Sequence, residues 1–268
     1  MIVRQEGEEL VIVRQADHAH LSGALAAAWG EPPWAVPVPF PSVVVGARLH
    51  DDAWVGFDEA PALTEDGRPR SFFEVDRELT SEMYRRGVDA VAVHDRYAGL
   101  LVSLHYSGFF HGHWDWEPFA RPGDFGGAEG AALRRFVDGE LIRQAGLREE
   151  LGIAAGADSD LAANYRWLQL WDRVSLDICR QDATQPWAVD YPEVPVSYEP
   201  GAPRAVLKFA MVARGHYTLS PFPLRGGGFP ARLPATRIRH LPGERPEVFL
   251  ARWRTARRSW IEARIEPA

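Results

Sequence analysis

The sequence holds one cysteine, Cys179, so no disulfide can close within the chain, and with no CxxC pair the zinc-ribbon and thioredoxin classes are excluded. Any metal must then be held by oxygen and nitrogen ligands. No apolar run approaches the roughly 18 residues that a membrane-spanning helix needs. The opening MIVRQEGEEL lacks the basic-then-apolar order of a secretion signal. A cytoplasmic protein with no membrane partner is therefore expected. Lysine is almost missing as well: Lys208 stands alone among 30 basic residues, a bias that fits genome composition and carries no function. The formal charge of −7 gives no global attraction for nucleic acid, and only the local run RWRTARRSW near the C-terminus could act as a basic contact patch. The three glycines of SPFPLRGGGFP follow strand-like residues with no GKS or GKT ending and no helix start, which excludes a phosphate-binding P-loop. No GxSxG elbow is present, so serine-hydrolase chemistry lacks its local geometry.

What the chain does have is apolar residues in quantity, 46% of 268, enough to bury one large core or a core with an appended lobe. Residues 1 to 14 read as a hairpin, MIVRQ and LVIVRQ around a polar GEE. A helix follows, with Asp17 as its expected N-cap and His18, Leu21, Ser22, Leu25 and Trp29 on one stripe, ended by Gly30 and the prolines from Pro32 to Pro41. His20 is rotated about 200° from His18 at 100° per residue, so His18 faces the core and His20 the solvent.

A second helix is expected over Ser42 to Trp54, followed by a loop, GFDEAPALTEDGRPRSFFEV, whose Phe72 and Phe73 either anchor it to the core or form a functional rim. Helices over Asp76–Val93 and Tyr97–Phe110 flank a break at HDRY, and a charged amphipathic helix covers Gly130–Leu151 with Leu133, Phe136, Val137, Leu141 and Leu147 as its buried stripe. In the next helix Leu168, Asp172, Ser175 and Cys179 share a core-facing side while Arg166 and Arg173 point outward. Beyond Pro186, β-forming segments between Gly-Pro turns predict three to five antiparallel strands, which the N-terminal hairpin could join, and a closing helix spans Pro246–Ala263. The expected class is α+β: one domain over 1–268, mainly a helical bundle, with a β lobe in which residues 187–245 form a subdomain.

The chemistry concentrates in His18, the pair His50-Asp51, His105 and Asp172, each in its own apolar-periodic segment. A carboxylate buried among apolar neighbours needs a partner, and a metal cation is one. A chance His-Asp pair or a histidine satisfied by a backbone carbonyl is the ordinary alternative for each residue alone. Four segments delivering such residues together argue for a shared site. His94 joins it only if the chain bends at HDRY, since on a continuous helix it would stand roughly 16 Å from His105. The aromatic run FFHGHWDWEPF places His111, His113 and Trp114 just past the helix of His105, where they suit a substrate-facing rim, with Arg96 as a nearby anion contact.

The order His, His-Asp, His and a distant Asp resembles the HD-domain superfamily of metal-dependent phosphohydrolases and its oxygenase relatives, and the chain also looks like an uncharacterised bacterial family of HD-like architecture. The resemblance implies that His18, His50, Asp51 and Asp172 bind a first divalent metal, with His105 and more loosely His94 at positions that hold a second. Mixed nitrogen and oxygen ligation suits iron, manganese, cobalt, nickel or zinc. Three functions follow as expectations. The first is hydrolysis of a small-molecule phosphoester by metal-activated water, with Asp51 orienting or deprotonating that water. The second is di-iron oxygenation of the HD type, and the third is a noncatalytic metal-containing binding protein.

Overall fold

The computed structural model describes residues 1–111, 126–154, 159–181 and 183–268. Strands β1 (Ile2–Glu6) and β2 (Glu9–Val13) form the expected hairpin, with Gly7 at φ +62° in the turn. Helices α1 (Gln15–Ala28), α2 (Phe40–Leu49), the short α3 (Val55–Glu59), α4 (Arg77–His94), α5 (Arg96–His111), α6 (Gly127–Leu151) and α7 (Ser159–Arg180) follow. Strands β3 (Trp187–Pro195), β4 (Arg204–Ala213), β5 (His216–Ser220) and β6 (Phe229–Arg239) precede helix α8 (Pro246–Thr255) and the final strand β7 (Arg258–Pro267).

All seven strands belong to one sheet, in the order β1-β2-β6-β7-β5-β4-β3. Four of its neighbouring pairs besides the β1/β2 hairpin are β2/β6, β3/β4, β4/β5 and β6/β7, all antiparallel, but β5 runs parallel to β7, which corrects the expectation of a purely antiparallel lobe. The fold is thus mixed α and β. Segment 187–245 supplies β3 to β6 and shares its sheet with β1, β2 and β7. The expected closing helix is shorter than its sequence pattern suggested. It stops at Thr255, and Ser259, Ile261, Ala263 and Ile265 alternate inward along β7 while Trp260, Glu262 and Arg264 turn out.

Local chemistry explains most boundaries. The side chain of Asp76 accepts hydrogen bonds from the amides of Glu78 (2.9 Å) and Leu79 (3.1 Å) and so caps α4. Asp95, extended at φ −150°, ends α4 and accepts from the Ala98 amide at 2.9 Å to start α5, which is the bend foreseen at HDRY. Helix α1 begins at Gln15 and not after Asp17, because the amides of Asp17 and His18 already donate to the Arg14 carbonyl. Asp17 instead faces Arg258 at 3.5 Å. Helix α2 ends at Leu49, and Asp52–Trp54 form a separate 3-10 turn, so the expected Ser42–Trp54 helix is two elements.

Helices α1 and α7 lie closest to the sheet, around a core in which Trp29 meets Trp34, Trp167 and Trp171 with ring centres 5.2 to 5.9 Å apart. A second cluster joins Trp54, Tyr84, Tyr106 and Phe136 between α4, α5 and α6, with Tyr84 and Tyr106 stacked at 3.9 Å. Two side chains depart from the helical-wheel reading. Leu141 of α6 is exposed, whereas Arg166 of α7 is buried and donates to the carbonyls of Pro192 and Glu193 in β3.

Candidate metal centre

Four elements bring the centre together. His18 lies in the first turn of α1, His50 closes α2 with Asp51 directly after it, His105 sits in the middle of α5, and Asp172 in the middle of α7. Gly23 permits the approach of α1 to α2, since a Cβ there would stand 2.6 Å from the Arg48 Cβ and 2.9 Å from its Cα. All five side chains are buried, the most accessible being Asp51 at 6%. One ligand atom from each of His18, His50 and Asp51 lies within 4.8 Å of the others, and the same holds for His50, His105 and Asp172. His50 belongs to both triads, so the five residues form one cluster.

The hydrogen bonds fix which ring nitrogens face inward. His50 Nδ1 is 2.8 Å from the Ala47 carbonyl, an acceptor only, so Nδ1 carries the proton. His18 Nδ1 is 2.8 Å from Ser175 Oγ, a hydroxyl that also reaches the Asp172 carbonyl at 2.8 Å and Ser22 Oγ at 3.0 Å and can either accept from the ring or donate to it. In a neutral ring His50 Nε2 then carries a lone pair aimed at carboxylate oxygens, and His18 Nε2 faces one as well. His18 Nε2 is 2.8 Å from Asp51 Oδ2, and His50 Nε2 is 3.2 Å from Asp172 Oδ1 and 3.8 Å from Asp51 Oδ2. Acceptors do not face acceptors in a buried site unless a positive charge lies between them.

A proton can supply that charge. For His50 burial opposes it, but the Asp51 carboxylate and the hydrogen bond and charge of Asp172 prevail and raise the imidazole to about 9. For Asp51 burial favours the neutral acid, yet His50 and His18 prevail and lower it. His105 moves the other way: burial, and then the charge of His50, hold it well below its ordinary value as a neutral imidazole.

A divalent cation meets the same demand with every ligand in its binding form. The spacings of 2.8 to 3.8 Å bracket the roughly 3 Å between adjacent ligand atoms that bonds of about 2.1 Å imply around an octahedral ion. Imidazoles that donate through the far nitrogen to a carbonyl or hydroxyl are oriented as metal ligands usually are. The donor set therefore fits the metals expected from the sequence.

A cavity of about 140 Å³ opens over Asp51, His105 and Asp172. Phe72, Phe73, Val75, Tyr84, Phe109, Phe110 and Leu176 supply apolar wall, and Gln15, Arg77 and Thr80 supply polar atoms. Phe72 and Phe73 both line this cavity, and Phe72 also packs against two hydrophobic clusters, so the loop is anchored as well. Gln15 Nε2 donates to Asp51 Oδ2 at 3.1 Å. Neither Gln15 nor Arg77 stands out in the sequence as a site residue. Gln15 lies one turn before His18 on the same face of α1, which is the signal that could have found it.

The chain belongs to the DUF3891 family. That family's description is "Protein of unknown function (DUF3891)", and its model matches residues 1–240, a span that contains all five clustered residues. No curated protein and no solved structure matches the chain.

The remaining expected site residues fall elsewhere. His94 is exposed at the C-terminal end of α4 and is absent from both triads, because the bend at Asp95 leaves its side chain in solvent. His94 thus stands apart from the cluster that the other expected ligands form. Arg96 is also exposed, pairs with Glu150 at 3.0 Å and donates to the Ala92 carbonyl, away from the cavity lining. His111 is the last residue of α5, and the expected rim residues His113 and Trp114 lie outside the described residues. Among the described residues no helix is long and apolar enough to cross a membrane.

Proposed function

We propose that this DUF3891 protein is a metal-dependent hydrolase of the HD type, acting on a small phosphoester. The observation that carries the reading is the convergence of the His18 and His50 Nε2 atoms on the carboxylates of Asp51 and Asp172, which line the floor of a cavity, an arrangement that could hold a cation. His18, His50, Asp51 and Asp172 would hold the ion, with His105 completing its surroundings. When bound, a divalent ion lowers the pKa of water toward neutrality and polarises a phosphoryl oxygen.

The protein residues do the rest. The Ala47 carbonyl fixes the His50 tautomer, Ser175 orients the His18 ring, and Gln15 holds Asp51 through Oδ2. Asp51 Oδ1 is then the atom suited to take a proton from the attacking water. Arg77, on the cavity wall, offers a guanidinium to a phosphoryl oxygen, and the phenylalanines exclude bulk water and receive the apolar part of the ester. The di-iron reading loses support because His94 does not reach the cluster.

The test is turnover of p-nitrophenyl phosphate and bis(p-nitrophenyl) phosphate by protein loaded in turn with manganese, iron(II), cobalt, nickel or zinc, with and without oxygen. Hydrolysis that requires metal, ignores oxygen and disappears in Asp51→Ala is expected. Consumption of oxygen with two irons per chain would replace this reading with an oxygenase, and metal uptake without turnover would leave a binding protein.

A further inference from the structure

The basic run near the C-terminus is not absorbed by the metal centre, and the fold divides it. Arg252 turns to Glu244 (2.6 Å) and the Arg239 carbonyl (2.7 Å), a structural pairing. Arg254 and Arg258 instead line a second hollow, of about 530 Å³, together with Arg14, Trp253, Thr236 and Glu59. Arg14 and Gln15 are adjacent in the chain yet line different cavities, so this hollow is separate from the one over the metal ligands.

We infer that this hollow is a binding site for a small organic polyanion carrying phosphoryl or carboxylate oxygens. Three guanidiniums line it against the single carboxylate of Glu59, in a chain whose overall charge is −7. Arg14 is held over the Trp253 ring at 5.6 Å, and Trp253 is itself buried and stacked near Phe249, with ring planes 11° apart. That platform fixes the plane of one guanidinium, and Arg14 Nε is buried with no hydrogen-bond partner among the described residues. Arg254 makes no ion pair among the described residues, and Arg258 meets Asp17 only at 3.5 Å. Like charges brought this close repel one another, and an anion gripped by the guanidinium forks relieves the repulsion while satisfying their N–H groups. The volume lies within the roughly 300–1,000 Å³ of small-molecule sites, more than an inorganic ion requires.

Calorimetric titration with pyrophosphate and with citrate in about 0.15 M potassium chloride tests the site, using the wild type, Arg254→Gln, Arg258→Gln and Asp51→Ala. Arg254 is exposed, so its replacement leaves the core intact. Saturable binding of one anion per chain is expected, weakened about tenfold or more by either arginine substitution and unchanged by Asp51→Ala. The tighter of the two probes identifies the ligand as phosphoryl or carboxylate. Absence of saturable binding by both probes overturns the inference. So does binding that survives both arginine substitutions and disappears with Asp51→Ala, since the anion would then occupy the metal centre.

Discussion

Replacing Asp51 by alanine removes the oxygen on which His18 Nε2 (2.8 Å) and Gln15 Nε2 (3.1 Å) converge, and with it one carboxylate of the proposed cation site. In the wild type, a divalent ion at a hundred times its dissociation constant adds about 2.7 kcal/mol to the folded state. At roughly 2.1 cal/mol/K of unfolding entropy per residue, 268 residues give about 0.56 kcal/mol per degree, so the ion should raise Tm by about 5 °C. The variant leaves the buried Gln15 amide without its acceptor, a loss of about 1–3 kcal/mol, or roughly 2–5 °C. It should therefore melt below the stripped wild type and respond little to metal. Scanning calorimetry on chelator-stripped protein, with manganese, iron(II), cobalt, nickel and zinc restored singly, measures both effects, and elemental analysis counts ions per chain. A variant that gains as much Tm from metal as the wild type would place the ion elsewhere. A wild type that takes up none of the five metals would refute the centre itself.

Two glycines make opposite predictions for the same substitution. Gly99→Ala at the α4/α5 junction would set a Cβ 2.5 Å from the Ala92 Cβ and 2.6 Å from its Cα, and should cost about 1–3 kcal/mol in urea unfolding. Gly139→Ala on the exposed face of α6 meets nothing within 4 Å and should stabilise by roughly 0.8–1.0 kcal/mol, so a loss there would contradict the described helix. Burial pushes the Cys179 thiol up to about 12, against about 8.5 in the unfolded chain. Below the unfolded value both states keep the proton and stability is unaffected. Above it only the unfolded chain releases the proton, so stability should fall by about 2 kcal/mol near pH 10 relative to Cys179→Ala. Rapid alkylation of the native thiol near pH 8 would contradict this burial.

The helical half of the fold is legible because its signals are local. Asp76 and Asp95 cap their helices through their own side chains, and Gly152 ends α6 in the left-handed region at φ +67°. Strand β7 was misread because RSWIEARIEP follows a true helix, and its alternation of Ser259, Ile261, Ala263 and Ile265 is short. What makes it a strand is the pairing available on both sides, β6 antiparallel and β5 parallel, and that is a property of the assembled sheet. Arg166 illustrates the same limit. A helical wheel sends a charged residue to solvent, but carbonyls of β3, distant in sequence, accept its guanidinium in the interior.

The clustering of His18, His50, Asp51, His105 and Asp172 was readable for a different reason. His18 and Asp172 each belong to an apolar stripe, and a polar residue on such a stripe stays there only if something in the interior satisfies it. His94 shows how far that logic reaches. The chain does bend at Asp95, the condition under which His94 could have joined the cluster, yet His94 and its neighbour Val93, 75% exposed, both face solvent, and which way a residue at a bend turns is not written in its own segment. The supporting residues were hidden because their role is directional. Ser175 matters through the hydroxyl it sets 2.8 Å from His18 Nδ1, which holds the ring with Nε2 facing Asp51. Ser175→Ala tests that step, since it removes the hydroxyl without touching any proposed ligand. Metal affinity should fall by roughly 10–100-fold with the number of ions per chain unchanged. Unaltered affinity would mean that His18 is oriented by packing alone.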